Sequence, residues 1–522
     1  MSVRLRATLR QAGAARYRQP GGAWDVPTLD GLARLSAGTS RPGTTMLADS
    51  STRLGGDAVE AEVSGLAGGL RAAGVRRGDT VAWQLPNRAE AVLLFRACWR
   101  VGAVAVPLHH QVGPAEVAAM LDVVEPGLVL AGPGSCLEER PGTILVGADD
   151  GIWDALLRGT PVRDPFARSA DVAVALFTSG STGEPKAVLH THRGLAYKAR
   201  TMAAAHGLTP DDAVLMPAPL AHISGLLSGV LLPLATGMRT VLMERWDAER
   251  ANLLVPDHGI TFMIGPPVYF AAMAGASNFS TPSMAGLRLI SCGSMTVAPE
   301  FVDATRAAFG AVVKRTYGST EAPTVTTSAW DDPPERARDT DGHVVSQAEL
   351  RVVDPATGRV VGPGVAGELE LRGPELFAGY AARDQTRAAL HGTWYRTGDL
   401  ATVDGEGWLT IVGRTRDVII RGGENIIPAE VERMLESHPS VIQAVVVGYR
   451  DERLGERVGA WVVADGPFGL EDCRAWCSSR GLARFKTPER VEQSDRLPTL
   501  SLGKPDRAAL RRRIEGGTGP SS

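Results

Sequence analysis

The stretch LFTSGSTGEPKAV, residues 176–188, decides how this 522-residue chain is read. An apolar strand predicted over residues 172–177 runs into Thr178, Ser179, Gly180, Ser181, Thr182 and Gly183, and the segment closes on Lys186. Hydroxyls and backbone N–H groups in a flexible turn form a nest for an anion, and a lysine adds a full positive charge. Two common nucleotide patterns are excluded. A Walker A loop needs G-x-x-x-x-G-K-[ST], but the fifth residue after Gly180 is Pro185 and Lys186 is followed by Ala187. The dinucleotide fingerprint G-x-G-x-x-G fails at Thr182.

On either side of this loop, apolar β-branched runs alternate with segments of helical period: 79–86, then 89–102, then 103–108. Further strand-like runs stand at 240–244, 261–265 and 287–293. That rhythm predicts an α/β fold with largely parallel strands. Past residue 340 the strands become shorter and punctuated by glycine, at 367–373, 408–413 and 417–423, which predicts a β-rich subdomain. A helix over about 428–437 and strands at 441–449 and 457–465 complete a small α+β C-terminal domain. The expected organisation is an N-terminal domain over 1–413, a junction at 414–416 and a C-terminal domain over 417–522.

Composition narrows the function. A net charge of −3, with 44% hydrophobic and 22% charged residues, lacks the basic excess of a nucleic-acid binder. The apolar run 223–238 is broken by glycine and proline and is too short for a bilayer, which needs about 20 residues. No membrane span is expected, and the arginine-bearing N-terminus reads as an ordinary basic arm. Five cysteines without a regular framework predict reduced thiols and a cytoplasmic location, with Cys473 and Cys477 packing at i, i+4 on a helix. Of 55 basic residues only Lys186, Lys198, Lys314, Lys486 and Lys504 are lysine. Each is a candidate for a place where a compact ammonium fits and a planar fork would not.

The loop is similar to the phosphate loop of the adenylate-forming superfamily of acyl-CoA synthetases, nonribosomal-peptide adenylation domains and firefly-type luciferases. Further motifs of that family follow in order: YGSTEA (317–322), GEL with a later GY (367–380), YRTGDL (395–400), GRTRDVIIRGGENIIPAEVE (413–432) and LGKPDR (502–507). The resemblance implies ATP and Mg²⁺ as cofactors and attack of a carboxylate on the α-phosphorus, where positive charge and positioning are the main catalytic contributions. On this reading Thr178 to Gly183 and Lys186 hold the β- and γ-phosphates. Thr320 approaches the α-phosphate and Glu321 holds the metal. Tyr317 stacks on adenine beside Gly318, while Asp399 and Arg414 contact the ribose. Lys504 is implied as the adenylation lysine. Arg416 is implied as the hinge of a mobile C-terminal domain, a mild departure from the Asp or Lys that relatives often carry, and Gly422 and Gly423 as the passage for a pantetheine arm.

For the acid, the resemblance points to His222 as a gate, followed by Ile223, with Tyr269, Gly293, Ser294 and Gly318 around the pocket. An Asp that would bind an α-amine is absent after His222, which disfavours an amino acid, and Ile223 departs from the Asn of siderophore-type aryl-acid activators. His109 and His110 are expected to point apart as loop or subunit-surface residues, and a homodimer is allowed for as the assembly. The expected activity is an acid–thiol ligase making an acyl-CoA from a compact aromatic, alicyclic or medium-chain acid. Transfer to a carrier-protein phosphopantetheine, adenylation of nitrite for diazotisation of an aryl amine, and non-catalytic nucleotide binding are the alternatives.

Overall fold

Strands of two to eight residues stack side by side in the first 350 residues, and the helices between them cover the faces. The computed structural model describes residues 5–7, 9, 14–37, 44–147, 151–179, 185–295, 297–499 and 505–516. The chain divides into two compact units, 1–350 with 371–395, and 351–370 with 396–522. Residues 414–416 lie inside the second of these.

The first unit holds two sheets. One has nine strands in the spatial order His343–Val344, Thr326–Thr327, Val312–Tyr317, Leu289–Cys292, Phe262–Gly265, Ala213–Met216, Arg239–Leu242, Thr45–Ala48 and Arg53–Gly55. From Val312–Tyr317 through Thr45–Ala48 every pairing is parallel. The other has six strands in the order Thr143–Leu145, Leu128–Ala131, Thr80–Gln84, Val104–Leu108, Val172–Ser179 and Pro185–Thr191, parallel except for the last pair. In such sheets the loops beyond the carboxyl ends of the strands are where ligands bind. Among the described residues, Thr178, Tyr317, Gly318, Thr320, Glu321, Gly293 and Ser294 lie at those strand ends or in the turns that follow them.

The helix Ala89–Val101 shows how the core is filled. It is buried along almost its whole length, with Phe95 edge-on to Trp83 at 4.8 Å and tilted against Trp99 at 5.4 Å. Burying side chains of this size stabilises the unit by roughly 1.5–3 kcal/mol each. Arg100 on the same helix is fully buried and pairs with Asp30 at 2.7 Å and Glu60 at 2.9 Å, so the charge is compensated where water cannot reach it. The run 223–238, read as too short for a membrane, folds as consecutive helical segments with a wide π turn at Leu227–Leu231. Among the described residues no helix is long and apolar enough to cross a membrane.

In the second unit, Trp394–Val403 pairs with Leu409–Arg414 over residues 399–403 and 409–414. A further sheet runs Glu424–Ile426, Ile419–Arg421, Gly455–Ala464, Val441–Asp451, with Arg490–Gln493 parallel to Gly455–Ala464. Its two faces alternate along Val441–Asp451. Ala444 and Val446 join the helices Pro428–Glu436 and Leu470–Ser479, whereas Val445 and Val447 join Arg507–Gly516. Cys473 and Cys477 are free thiols inside the first of these clusters, where they pack as small apolar groups.

Candidate active site

The antiparallel pair that carries the phosphate loop sets Thr178 opposite Lys186. Gly180, Ser181, Thr182 and Gly183 lie outside the described residues. The segment 376–381 lies along the return strand: the Ala378 N–H donates to the Leu189 carbonyl at 2.6 Å, Leu189 N–H to Gly379 at 3.0 Å and Ala381 N–H to Ala187 at 2.9 Å. This pairing brings the Tyr380 ring to 5.5 Å from Lys186 Nζ, within cation–π range. The Tyr380 hydroxyl donates to Glu321 Oε1 at 2.7 Å. Burial, followed by the Glu321 charge, pushes the Tyr380 phenol well above its ordinary value, so it stays protonated and remains a donor.

Glu321 sits in a turn that leaves the strand Val312–Tyr317. Ser319 and Ala322 exchange backbone hydrogen bonds at 3.0 and 3.2 Å. A Cβ at Gly318 would lie 2.4 Å from the Thr324 nitrogen, so no other residue allows the turn to close. The Glu321 carbonyl accepts from Phe377 N–H at 2.8 Å. The Thr320 carbonyl is 2.7 Å from His190 Nε2 on the phosphate-loop return strand. A carbonyl only accepts, so Nε2 carries the proton, and burial holds this imidazole neutral with its pKa lowered to about 4.

This arrangement fits a hard divalent cation. Tyr380 occupies one acceptor position of the Glu321 carboxylate, which has others to offer. Among the described residues no group of three or more His, Cys, Asp or Glu could hold a metal by itself. A single carboxylate is a donor set Mg²⁺ uses when substrate phosphates complete its shell.

The sequence-predicted acid pocket lies at the ends of neighbouring parallel strands. His222 caps the helix that begins at Ile223. Gly293 follows Leu289–Cys292, and a Cβ there would lie 2.7 Å from the Thr316 carbonyl oxygen. Ser294 adopts φ +70°, a left-handed conformation unusual for a residue with a side chain. Tyr269 stacks flat on Trp246 at 4.1 Å and 11°. His109 and His110 do not point apart as expected. Their rings stack at 4.8 Å, and His109 meets His222 at 5.1 Å. Burial and the two neighbouring imidazoles lower the His109 pKa to about 4. Its Nδ1 accepts from Gln111 N–H at 3.1 Å, which leaves Nε2 as the donor.

The second unit supplies its own pair. Asp399 and Arg414 face each other across the strand pairing, with Arg414 Nε 3.0 Å from Asp399 Oδ1. Asp399 is buried and its N–H donates to Thr397 Oγ1 at 3.0 Å. Arg416 is 61% exposed and lies 3.7 Å from Asp417. Gly422 and Gly423 form the two-residue turn between Ile419–Arg421 and Glu424–Ile426, at φ +60° and +91°, a conformation that by itself accounts for both glycines. Lys504 lies outside the described residues.

The sequence reading did not assign functional places to Tyr380, His190, His109 and Trp246. The GY dipeptide pointed at Tyr380; His190 and Trp246 carried no comparable signal.

Residues 36–381 match the model of the AMP-binding enzyme family, and residues 430–504 match the AMP-binding enzyme C-terminal domain. A medium-chain fatty-acid–CoA ligase of Escherichia coli (strain K12) is 31% identical, across 98% of this chain and 95% of that protein. A salicyl-AMP ligase / salicyl-S-ArCP synthetase of Mycobacterium tuberculosis is 32% identical, across 97% and 94%. Among solved structures, o-succinylbenzoate coenzyme A synthetase from Bacillus subtilis, in complex with ATP and magnesium ion, matches with a TM-score of 0.80 at 28% identity, covering 94% of this chain and 99% of that one.

Proposed function

We propose, from the premise that this chain belongs to the AMP-binding enzyme family and is an ATP-dependent, AMP-forming ligase, that it converts a compact aromatic, alicyclic or medium-chain carboxylic acid into its coenzyme A thioester. The observation that carries the ATP half is the run Lys186, Tyr380, Glu321: a cation and a carboxylate joined through one buried phenol beside the phosphate loop.

In this reading Lys186 and the loop 178–183 hold the β- and γ-phosphates. Thr320 stands at the α-phosphate, and Tyr317 and Gly318 flank the adenine. Glu321 holds Mg²⁺, which when bound neutralises phosphate charge. Asp399 accepts from the ribose hydroxyls and Arg414 orients it. A carboxylate oxygen of the acid attacks the α-phosphorus, the bond to the β-phosphate oxygen breaks, and pyrophosphate leaves. Lys504 is assigned the role of supplying positive charge to the two oxyanions that must meet. The thiolate of coenzyme A then attacks the acyl carbon and AMP departs. Arg416 serves as the pivot of the C-terminal domain, with 1–413 and 417–522 on either side, and Gly422–Gly423 give the pantetheine arm close passage.

His222, Ile223, Tyr269, Gly293 and Ser294 line the acid site in this reading. The flat Trp246–Tyr269 stack favours a planar or compact acid. Transfer to a carrier protein is the second reading, favoured by the similarity to the salicyl-S-ArCP synthetase at matching identity and coverage.

Acid-dependent exchange of pyrophosphate into ATP, run across a panel of aryl, alicyclic and medium-chain acids, tests the proposal. A second stage then offers coenzyme A or a phosphopantetheinylated carrier protein. Exchange with one acid class and thioester formation on coenzyme A is the expected result. Acylation of the carrier alone replaces the first reading by the second. AMP formation that depends on nitrite and an aryl amine, with no acid active, overturns both.

A further inference from the structure

Lys198, on the helix His192–Ala205, has no place in the chemistry above and is fully buried. Its Nζ lies 3.2 Å from Glu375 Oε1 and donates to the Thr324 carbonyl at 2.9 Å. Glu375 is also fully buried, and Oε1 accepts in addition from Ser346 Oγ, while Oε2 has no hydrogen-bond partner among the described residues. An ion pair enclosed in this way gives up the hydration of both charges. Apolar side chains of similar volume often serve stability as well or better. Stability alone does not explain why the pair is there.

Its position does. Thr324 ends the turn of residues 318–324 at φ +31°, a conformation that costs free energy for a β-branched residue and persists only where the surroundings hold it. The Thr324 backbone is also the wall that Gly318 packs against. On the other side, Glu375 stands two residues before Phe377, whose N–H holds the Glu321 carbonyl, and five before Tyr380, whose hydroxyl holds the Glu321 carboxylate. The pair therefore ties together the two chain segments between which Glu321 is fixed. A methionine or leucine at 198 would fill the space, but could neither donate to the Thr324 carbonyl nor bind Glu375. A guanidinium would bring a wide fork into a place that uses two acceptor contacts of a compact ammonium.

We propose that the Lys198–Glu375 pair is a positioning device for the Mg²⁺-and-ATP half of the site, setting the turn of residues 318–324 so that Thr320 and Glu321 are in place before nucleotide arrives. Both residues act through others and touch no substrate. The proposal rests on the nucleotide assignment given above, but not on which acid is activated.

The test compares Lys198→Met, Glu375→Gln and the double variant Lys198→Met/Glu375→Gln with the full-length wild type. The readouts are thermal melting and the dissociation constant of α,β-methylene-ATP measured by titration calorimetry across a Mg²⁺ series. Neither depends on a reactive acid, so a wild type that activates no acid in the panel leaves this test intact. Each single variant leaves one buried charge without its partner and is expected to melt lower. The double variant removes both charges, and its melting temperature is expected within a few degrees of wild type. It still lacks the donor to Thr324. Its affinity for the analogue at saturating Mg²⁺ is therefore expected to fall about tenfold, with a higher Mg²⁺ concentration at half-saturation. Wild-type affinity and Mg²⁺ dependence in the double variant overturn the proposal. So does a loss of affinity that follows melting temperature across all three variants, because that describes a structural pair only.

Discussion

Lys314 Nζ donates to the carbonyls of Ala205 and Ser328 at 3.3 and 3.0 Å in a closed interior, and Lys486 Nζ reaches both oxygens of Glu430 at 2.7 and 2.8 Å. With Lys186 and Lys198, every described lysine of this arginine-rich chain occupies a place with specific acceptors or a ring beneath it. The same logic extends to Lys504. Lys504→Ala is expected to slow adenylation by roughly 10²-fold or more, as removal of one charge-stabilising donor does in other enzymes. Single-turnover pyrophosphate release measures it, and an unchanged rate removes Lys504 from the mechanism. Tyr380→Phe keeps the ring under Lys186 but removes the donor to Glu321. A hydrogen bond to a charged group contributes about 1.5–3 kcal/mol, so the Mg²⁺ concentration for half-maximal pyrophosphate exchange is expected to rise about tenfold or more. An unshifted Mg²⁺ curve shows that the phenol does not orient the carboxylate.

Among the elements, the loop after Leu289–Cys292 carries a strain that substitution can release. Ser294 adopts φ +70°, and a side chain in that region costs about 1–2 kcal/mol. Ser294→Gly is expected to stabilise the protein by roughly 0.5–1 kcal/mol, after the greater freedom glycine gains in the unfolded chain, and to widen the acid range in the exchange panel. The denaturation midpoint checks the first effect; a lower midpoint shows that the Ser294 side chain holds the loop. Such loops separate what was legible in the sequence from what was not. Strands and helices were legible because their periods are local: the runs at 261–265 and 287–293 became Phe262–Gly265 and Leu289–Cys292, and the predicted helix at 428–437 became Pro428–Glu436. The phosphate loop was legible as a motif, although its centre lies outside the described residues. Contacts made across the fold were not. Tyr380 meets Glu321 at a separation of 59 residues and only because segment 376–381 pairs with the return strand, while His190 meets Thr320 at a separation of 130. The stack of His109 on His110 and its contact with His222 join the ends of strands from two sheets, so adjacent histidines in the sequence gave no hint of it.

At the scale of the whole molecule, the two units respond to pH with opposite sign. In the first, burial holds His190 and His192 neutral with pKa lowered to about 4, and His206, also beside Lys314, Arg288 and Lys198, to about 3. Unfolded, each takes a proton near 6.5. Between those values the unfolded chain binds more protons, so the slope of stability against pH is positive. Stability of this unit is therefore complete above pH 6.5 and lost as pH falls, on the order of 2 kcal/mol per histidine by pH 5. Three such losses are comparable with the whole stability of a domain, about 5–15 kcal/mol. In the second unit, burial pushes the Glu436 carboxyl up to about 7, against the opposing Ala444 N–H hydrogen bond. There the folded chain binds more protons between 4.5 and about 7, the slope is negative, and stability is lost as pH rises through that window. Domains with their own cores can unfold as separate transitions. Calorimetric scans at pH 7.5 and 5.0 are expected to show one transition falling steeply and another rising by a few degrees on acidification. Glu436→Gln removes the group whose protonation drives the rise, so it should abolish that shift while leaving the fall unchanged. A rise that survives in Glu436→Gln assigns it to another group, and a fall absent from wild type contradicts the neutral burial of the three histidines.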